Sequence, residues 1–452
     1  MSAEITAPGR PRHPFSVRHR DILMIAVPAS VAFITEPLAG LIDITVIGRL
    51  GDASLLGGLV LGALVFDFVF SLAYFLRIGT AGLVAQSVGA RDPDDGLLHL
   101  MRALCLAVII GIGLIALGSP VLMFSEWALG PEPAVAAALG TYFMIRIWSA
   151  PFSLINYSLL GWFYGRAAAA TGMALQFVIH GVNICLSLLL VFGLGWGVAG
   201  NALATVIGNA SAAIIGLVLV LRHYGALPGL AGRVSLQALL DRVALRRMFG
   251  LSRDLMIRSM ALMCAYGYFA AQGSRMGEVT LSANAVLLNL LMIIGFFLDG
   301  IAQAAEQLTG KAVGANWRPA FDRAYGLSFM WGSVIAVLLG LGWYFAGPAV
   351  IGIMTTNEAV RAEALAYLPV AALCAVTFMP AFVYDGILVG ATLNAVMRNG
   401  MVISLFVFLG AALAFQPVFG NAGLWLALHA WFLARGVFYW WALRRRRAAL
   451  FG

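Results

Sequence analysis

An all-α integral membrane protein of twelve transmembrane helices, in two six-helix lobes related by a pseudo-two-fold axis along the membrane normal, is the architecture this sequence predicts. Three observations lead there. The 452 residues are 62% hydrophobic and only 11% charged, and the mean hydropathy of +0.94 lies above the range in which a soluble domain of this length stays in solution. Apolar runs of about 20 residues or more, each able to cross roughly 30 Å of hydrocarbon as a helix, recur along the whole chain with short connectors. The halves also resemble each other: "RLGDASL" at 49–55 returns as "RMGEVTL" at 275–281, "SVGAR" at 87–91 as "AVGAN" at 312–316, and Gly161 and Gly165 as Gly386 and Gly390. The offset holds at 225 or 226. Six helices separate equivalent points, so both halves face the same way and the repeat is parallel.

The runs place helices at 22–48, 54–86, 99–124, 134–162, 169–192, 198–221, 249–274, 281–311, 324–352, 362–388, 397–415 and 422–443. The first run is too long for a signal-peptide core and lacks a small-x-small cleavage site, so it reads as a retained helix. Domains follow: a cytoplasmic tail 1–20, an N-lobe 21–221, a cytoplasmic interlobe loop 222–248, a C-lobe 249–443 and a basic tail 444–452.

Charge orients the chain. Arg10, Arg12, Arg18 and Arg20 precede the first helix, Arg222, Arg233, Arg242, Arg246 and Arg247 fill the sixth connector, and Arg444 to Arg447 follow the last helix. The odd connectors offer only Arg49, Arg275 and Arg361 and include the acidic "SEWALGPEPAV". Positive residues stay inside, which puts both termini in the cytoplasm of a cell with the chain in its inner (plasma) membrane. The net charge of +8 is therefore topological and does not indicate a nucleic-acid partner. Cys105, Cys185, Cys264 and Cys374 sit within apolar runs at spacings of no metal or redox motif, and read as packing residues. There is no nucleotide-binding loop, no metal-ligand spacing and no nucleophile with a base, so no enzyme, cofactor or resident metal is expected.

Charged groups at helix depth are therefore the functional candidates. A carboxylate there costs at least about 2.5 kcal/mol on insertion scales and must face a bundle interior or a wet cavity. Glu36 and Asp43, seven residues apart, share one face of the first helix, which Pro28 and Pro37 also occupy. A proton and a cationic cargo would compete for one such negative charge, which makes the site a coupling device; the structural alternative is a bond to a neighbouring amide or a salt bridge to Arg49. His180, Asn183 and Ser187 in the fifth helix, Asn156 in the fourth, and Asn201 and Thr205 in the sixth would give the first half a polar interior, or serve as interhelical glue. His180 is either a proton carrier or a hydrogen-bonded packing residue.

In the second half, Arg253, Asp254 and Arg258 read as paired locally near the cytoplasmic surface. Met256, Met260 and Met263 follow at helical spacing, suited to an adaptable wall for bulky molecules or to ordinary packing. Asp299 and Glu306 again stand seven apart; Glu306 and Lys311, with Arg77, form either an intracellular gate of charge pairs or a structural ion network. Asp385 and Asp67 are further buried acids without an assignable partner.

"EPLAGLIDITVIGRLGD", "FLRIGTAGLVAQSVGARD", "NYSLLGWFYGR", "VFGLGWGVAGNALATVIG" and "FFLDGIAQAAEQLTGKAVGA" together resemble the multidrug and toxic compound extrusion family, in its DNA-damage-inducible branch, over almost the entire chain. The resemblance implies two lobes in a V that face alternately in and out and export cationic or amphipathic compounds against an inward proton or sodium flow. It puts the proton site on Asp43 and the N-lobe cavity lining on Asn156, Asn183 and Thr205. Family members often carry an aspartate four residues after that asparagine, where this chain has Ser187. Sodium prefers several oxygen ligands, so the departure favours proton coupling through Asp43, with Glu36 as substitute acid. The expected function is a monomeric antiporter for polyspecific organic small molecules; the alternatives are a sodium-coupled exporter and a lipid-linked-sugar flippase, whose cleft would need several arginines.

Overall fold

In a computed structural model, residues 11–225, 233, 235–239 and 241–451 are described. Residues 1–10 of the N-terminal tail, Arg10 among them, lie outside them, as does the side chain of Arg247. The described residues form helices and connecting turns with no strand among them. In the first half of the chain these are α1 (His19–Gly48), α2 (Ala53–Ala73), α3 (Phe75–Gly89), α4 (Pro93–Ala116), α5 (Gly118–Leu129), α6 (Pro133–Arg146), α7 (Ala150–Gly165), α8 (Ala169–Leu188) and α9 (Gly197–His223). A single turn at Leu236–Leu239 follows, then α10 (Arg242–Arg275), α11 (Glu278–Gly314), α12 (Arg318–Met354), α13 (Glu358–Gly390), α14 (Asn394–Phe419) and α15 (Asn421–Arg446). Among the described residues, nine helical stretches are long and apolar enough to cross a membrane.

Three of the expected helices are interrupted. Tyr74 separates α2 from α3, Leu117 separates α4 from α5, and a 3₁₀ turn at Ile147–Ser149 separates α6 from α7. Pro151, in the first turn of α7, explains the third break: proline starts a helix readily but cannot continue the one before it. A π-turn, Leu189–Gly193, ends α8.

The chain divides into two compact units. One runs through Ser30, takes up Ala85–Arg91, and holds everything from Gly250 on; the other comprises Val31–Val84 and Asp92–Phe249. In the second unit small residues let helices meet closely, as membrane-buried helices do in the absence of a hydrophobic drive between them. A Cβ on Gly161 would collide with the Arg77 carbonyl, and one on Gly165 would stand 2.6 Å from the Ala81 carbonyl, so α7 lies directly on α3. Phe66 of α2 stacks on Phe143 of α6 at 5.0 Å and meets Tyr142 edge-on. In the first unit Gly386 and Gly390 of α13 press against the carbonyls of Ala302 and Glu306 on α11. Those carbonyls stand 225 residues after Arg77 and Ala81, so one packing arrangement occurs twice.

The backbone repeats as well. Among the described residues four non-glycine residues have positive φ: Arg91 (59°), Ala167 (60°), Asn316 (48°) and Thr392 (53°). They are two pairs at an offset of 225. Each follows the end of a long helix, where a left-handed residue reverses the chain. Where α3 enters the first unit the repeat meets itself: Gly89 abuts the Lys311 carbonyl, and Gly314 abuts the Gln86 carbonyl. That contact is reciprocal, the signature of a local two-fold relation between 86–89 and 311–314.

The cysteine expectation needs correction. Cys374 is buried, but Cys105, Cys185 and Cys264 are exposed and none is disulfide-bonded. On apolar helices an exposed cysteine side chain suits a lipid-facing surface as well as a packed one.

Candidate functional site

The polar interior of the second unit is built on α1. This helix continues through both prolines, and Thr35 and Thr45 turn their hydroxyls back to the carbonyls of Ala32 and Leu41. Glu36 and Asp43 consequently project from an unbroken helix, two turns apart.

Asp43 takes its bonds from amide and hydroxyl groups rather than from Arg49. Its Oδ1 accepts a hydrogen bond from Asn201 Nδ2 at 2.7 Å and one from Ser187 at 3.4 Å, and the same Asn201 amide reaches Ser187 Oγ at 3.0 Å. Its Oδ2 accepts no hydrogen bond within the described residues. From there the bonds run along α9. The Thr205 hydroxyl donates to the Asn201 carbonyl at 3.2 Å and accepts from Asn183 Nδ2 at 2.8 Å. Asn209 Nδ2 donates to the Thr205 carbonyl, Ser153 donates to Asn209 Oδ1, and Asn156 Nδ2 donates to the Asn209 carbonyl at 2.9 Å. Asn201, Asn183, Asn156 and Ser187 are all buried. The structure thus joins five expected residues, Asn156, Asn183, Ser187, Asn201 and Thr205, into one chain of bonds that ends on Asp43. It leaves His180 out: among the described residues this side chain forms no hydrogen bond, and its Nε2 is buried without a partner. The expected hydrogen-bonded packing role for His180 does not hold.

Two members of the chain, Ser153 and Asn209, escaped sequence reasoning. The signal for Asn209 was present: Asn201, Thr205 and Asn209 recur every fourth residue and form one polar stripe on α9.

Beside the amide chain lies a cluster of charges. Glu36 and Asp67 are exposed and, among the described residues, form no hydrogen bond or ion pair. Arg146 is within electrostatic reach of Glu36, Asp43 and Asp67, and Arg77 is within reach of Glu36. Arg146 closes α6, where the carbonyl end of the helix favours a cation, and hydrogen-bonds to Tyr142. Its guanidinium stands 4.7 Å above the Phe66 ring, and its Nε is buried without a partner. Arg77 is buried among the rings of Phe33, Tyr74 and Tyr164, at 4.3, 4.7 and 5.4 Å. Aromatic faces attract a guanidinium through the ring quadrupole.

The first unit is organised differently. Arg258 is not paired locally: it donates to Asp385 Oδ2 at 2.8 Å, and Arg435 approaches the same oxygen at 3.7 Å. Asp385 therefore has its partners, on α10 and α15. The local expectation failed because Asp254 is engaged by Arg398 at 2.6 Å as well as by Arg253 at 3.2 Å. Arg435 also lies 4.4 Å from the Phe432 ring. Asp299 is exposed and in electrostatic reach of Arg258, whereas Glu306 is buried. Lys311 places its ammonium 4.6 Å over the Phe15 ring. Met256 and Met260 are exposed and Met263 half-buried on α10. No cluster of metal-ligating side chains occurs among the described residues.

Long apolar helices enclosing a bonded acid–amide chain, with carboxylates and guanidiniums beside it, are the build of a polytopic membrane transporter. The chain belongs to the MatE family, which matches it once in each half, over residues 28–189 and 258–418. It is 35% identical over 421 residues to DNA damage-inducible protein F of Escherichia coli, covering 91% of this chain and 89% of that protein. It is 26% identical over 434 residues to the probable multidrug resistance protein NorM of Caulobacter vibrioides, covering 93% and 87%. Among solved structures, MATE in the straight conformation superposes with a TM-score of 0.86 over 96% of both chains at 20% identity. MATE in the bent conformation gives 0.85 over 96% of this chain and 99% of that one at 18% identity. The last two likenesses concern the fold.

Proposed function

We propose that the protein is a secondary antiporter of the inner membrane that exports polyspecific organic compounds, chiefly cationic or amphipathic ones, in exchange for protons. In this reading twelve helices cross the bilayer, both termini are cytoplasmic and the working unit is a monomer. Relatives named as multidrug resistance and multidrug export proteins support the export of drugs. One observation carries the coupling: Asn201 and Ser187 fix one oxygen of Asp43 and leave Oδ2 for a proton or a cation. Protonation then empties the site of cargo, and cargo expels the proton; the amides behind Asp43 hold the carboxyl in place in either state. The methionines of α10 serve as an adaptable wall, and Arg77, Glu306 and Lys311 as gate residues.

The deciding experiment is uptake of a fluorescent cation into vesicles holding the purified protein, under an imposed pH gradient. Wild type accumulates the dye and Asp43→Asn does not, although the variant stays folded; accumulation by Asp43→Asn would overturn the assignment. A second reading, sodium in place of protons, draws on the side-chain oxygens of Asn156, Asn183 and Asn201, buried and without donors. A sodium gradient at uniform pH separates the two. The flippase alternative needs several guanidiniums converging on a pyrophosphate, whereas Arg258 and Arg435 converge on Asp385 and Arg146 lies in electrostatic reach of Asp43 and Asp67.

A further inference from the structure

One stripe of α15 is exposed along most of the helix. Leu426, Leu433, Val437, Trp440 and Trp441 are exposed and recur at intervals of seven, four and three, so they share a face. In a membrane protein such a stripe is covered by acyl chains. This one ends on charge. Arg444 and Arg445 follow Trp440 and Trp441 by one turn, are exposed, and hold their guanidiniums 5.6 and 4.1 Å from those rings. Among the described residues neither side chain forms a hydrogen bond or an ion pair. A guanidinium stacked on an indole uses its face and keeps its N–H donors at the edge. Tryptophan favours the level of the headgroups, and one helical turn carries the arginines about 6 Å further out, toward the phosphates.

The next arginine but one is used differently. Arg447 is bonded to Asp322 of α12, which Arg318 also meets at 3.7 Å. The turn Ala448–Phe451 then folds back until Phe451 meets Phe321 edge-on at 5.5 Å. Asp322 is thus engaged by two cations already, and the end of α15 is pinned to α12. Arg444 and Arg445 are therefore presented from an anchored helix end.

We propose that this end of α15 is a binding site for an anionic phospholipid: Arg444 and Arg445 receive the headgroup phosphate, and the stripe beside them takes the acyl chains. Continuity of the cations with the apolar stripe selects a lipid over a soluble phosphate, which gains nothing from the stripe. Two guanidiniums without an acid select an anionic headgroup over a zwitterionic one, whose ammonium finds no partner there. The inference rests on α15 crossing the bilayer and is independent of the coupling ion and the cargo.

The test is native mass spectrometry of the purified full-length protein in detergent, with dioleoylphosphatidylglycerol, dioleoylphosphatidylcholine and glycerol phosphate as probes. Wild type binds the phosphatidylglycerol at least about tenfold more tightly than the phosphatidylcholine and does not retain glycerol phosphate. Arg444→Gln combined with Arg445→Gln brings the affinities for the two lipids to within about threefold of each other. Arg222→Gln combined with Arg275→Gln removes the same charge from other exposed positions and keeps the wild-type preference. Equal losses in both double variants would mean a general attraction to net charge and overturn the inference, as would a preference that survives Arg444→Gln with Arg445→Gln. Should that variant fail to fold, the wild type decides alone: equal affinity for the two lipids, or glycerol phosphate held as tightly as phosphatidylglycerol, overturns the inference.

Discussion

The two repeats share a backbone and differ in what they bury. Arg91 and Asn316, Ala167 and Thr392, Gly195 and Gly420 are left-handed pairs at one offset, and the helices between them are in register. Within that register Asn156 corresponds to Ala381, Asn183 to Phe408 and Ser187 to Ala412; Asp43, at the offset of 226 that relates Arg49 to Arg275, corresponds to Phe269. In the other direction Asp385 corresponds to Leu160, Arg258 to Ala32 and Arg435 to Ala210. Each of these polar groups therefore corresponds to an apolar residue in the other repeat. The fold demands small residues where helices cross and left-handed residues where they turn, and it demands them twice. It demands neither polar set, so each is either a compensated structural feature or a functional one.

The way each set is satisfied separates those cases. Asp385 is held by two guanidiniums, whereas among the described residues Asp43 has an oxygen open and Glu36 and Asp67 have no hydrogen-bond or ion-pair partner. The largest expected contrast follows. Asp43→Asn eliminates gradient-driven efflux yet changes stability by no more than about 1 kcal/mol, because an amide can keep the bonds to Asn201 and Ser187. Asp385→Ala does the reverse and destabilises by about 3–5 kcal/mol, because it strands two buried cations. Thermal unfolding in detergent beside vesicle transport reads both, and equal stability losses in the two variants would break the comparison.

Packing should be symmetric where polarity is not. Gly161→Ala and Gly386→Ala each push a methyl group into a carbonyl of the neighbouring helix, and each costs about 1–3 kcal/mol by the same measurement. A loss confined to one repeat would show that only one of the crossings is tight. Asn209→Ala sharpens the other side: it removes the partner of Ser153 but keeps the backbone carbonyl that Asn156 uses, costs about 1–3 kcal/mol, and slows transport without abolishing it, since Asp43 keeps its own bonds.

Much of this was legible in the residue order, for identifiable reasons. Apolar length locates helices because the bilayer leaves few other structures open to a chain, and α1, foreseen at 22–48, runs His19–Gly48. The break at Tyr74 was not legible, because no proline marks it; the one at Leu117 carried a signal that went unread, Gly118 and Pro120 in the first turn of α5. Asp43 and its amides were found because an acid in an apolar run is costly wherever it points. The pairing of Asp385 with Arg258 and Arg435 was missed because those residues stand 127 and 50 positions away, where helical periodicity carries no information. No role for Arg146 was legible, since its meaning depends on three acids from two other helices.

The smallest effects concern the connector after α9, which packs on its own unit. Buried Arg102 of α4 donates to the carbonyls of Ala238 at 2.7 Å and Leu239 at 3.3 Å, capping the turn at Leu236–Leu239. Arg233 meets Asp94 at 2.7 Å, but both side chains are about half exposed. Screening by solvent should make Arg233→Ala worth no more than about 0.5 kcal/mol. Arg102→Met, which uncaps the turn and leaves two carbonyls without their donor, should cost about 1.5–3 kcal/mol and expose the connector to limited proteolysis. Equal cleavage rates in the two variants would mean that the turn is not held through Arg102, and that the connector is not a structural part of the unit containing Asp43.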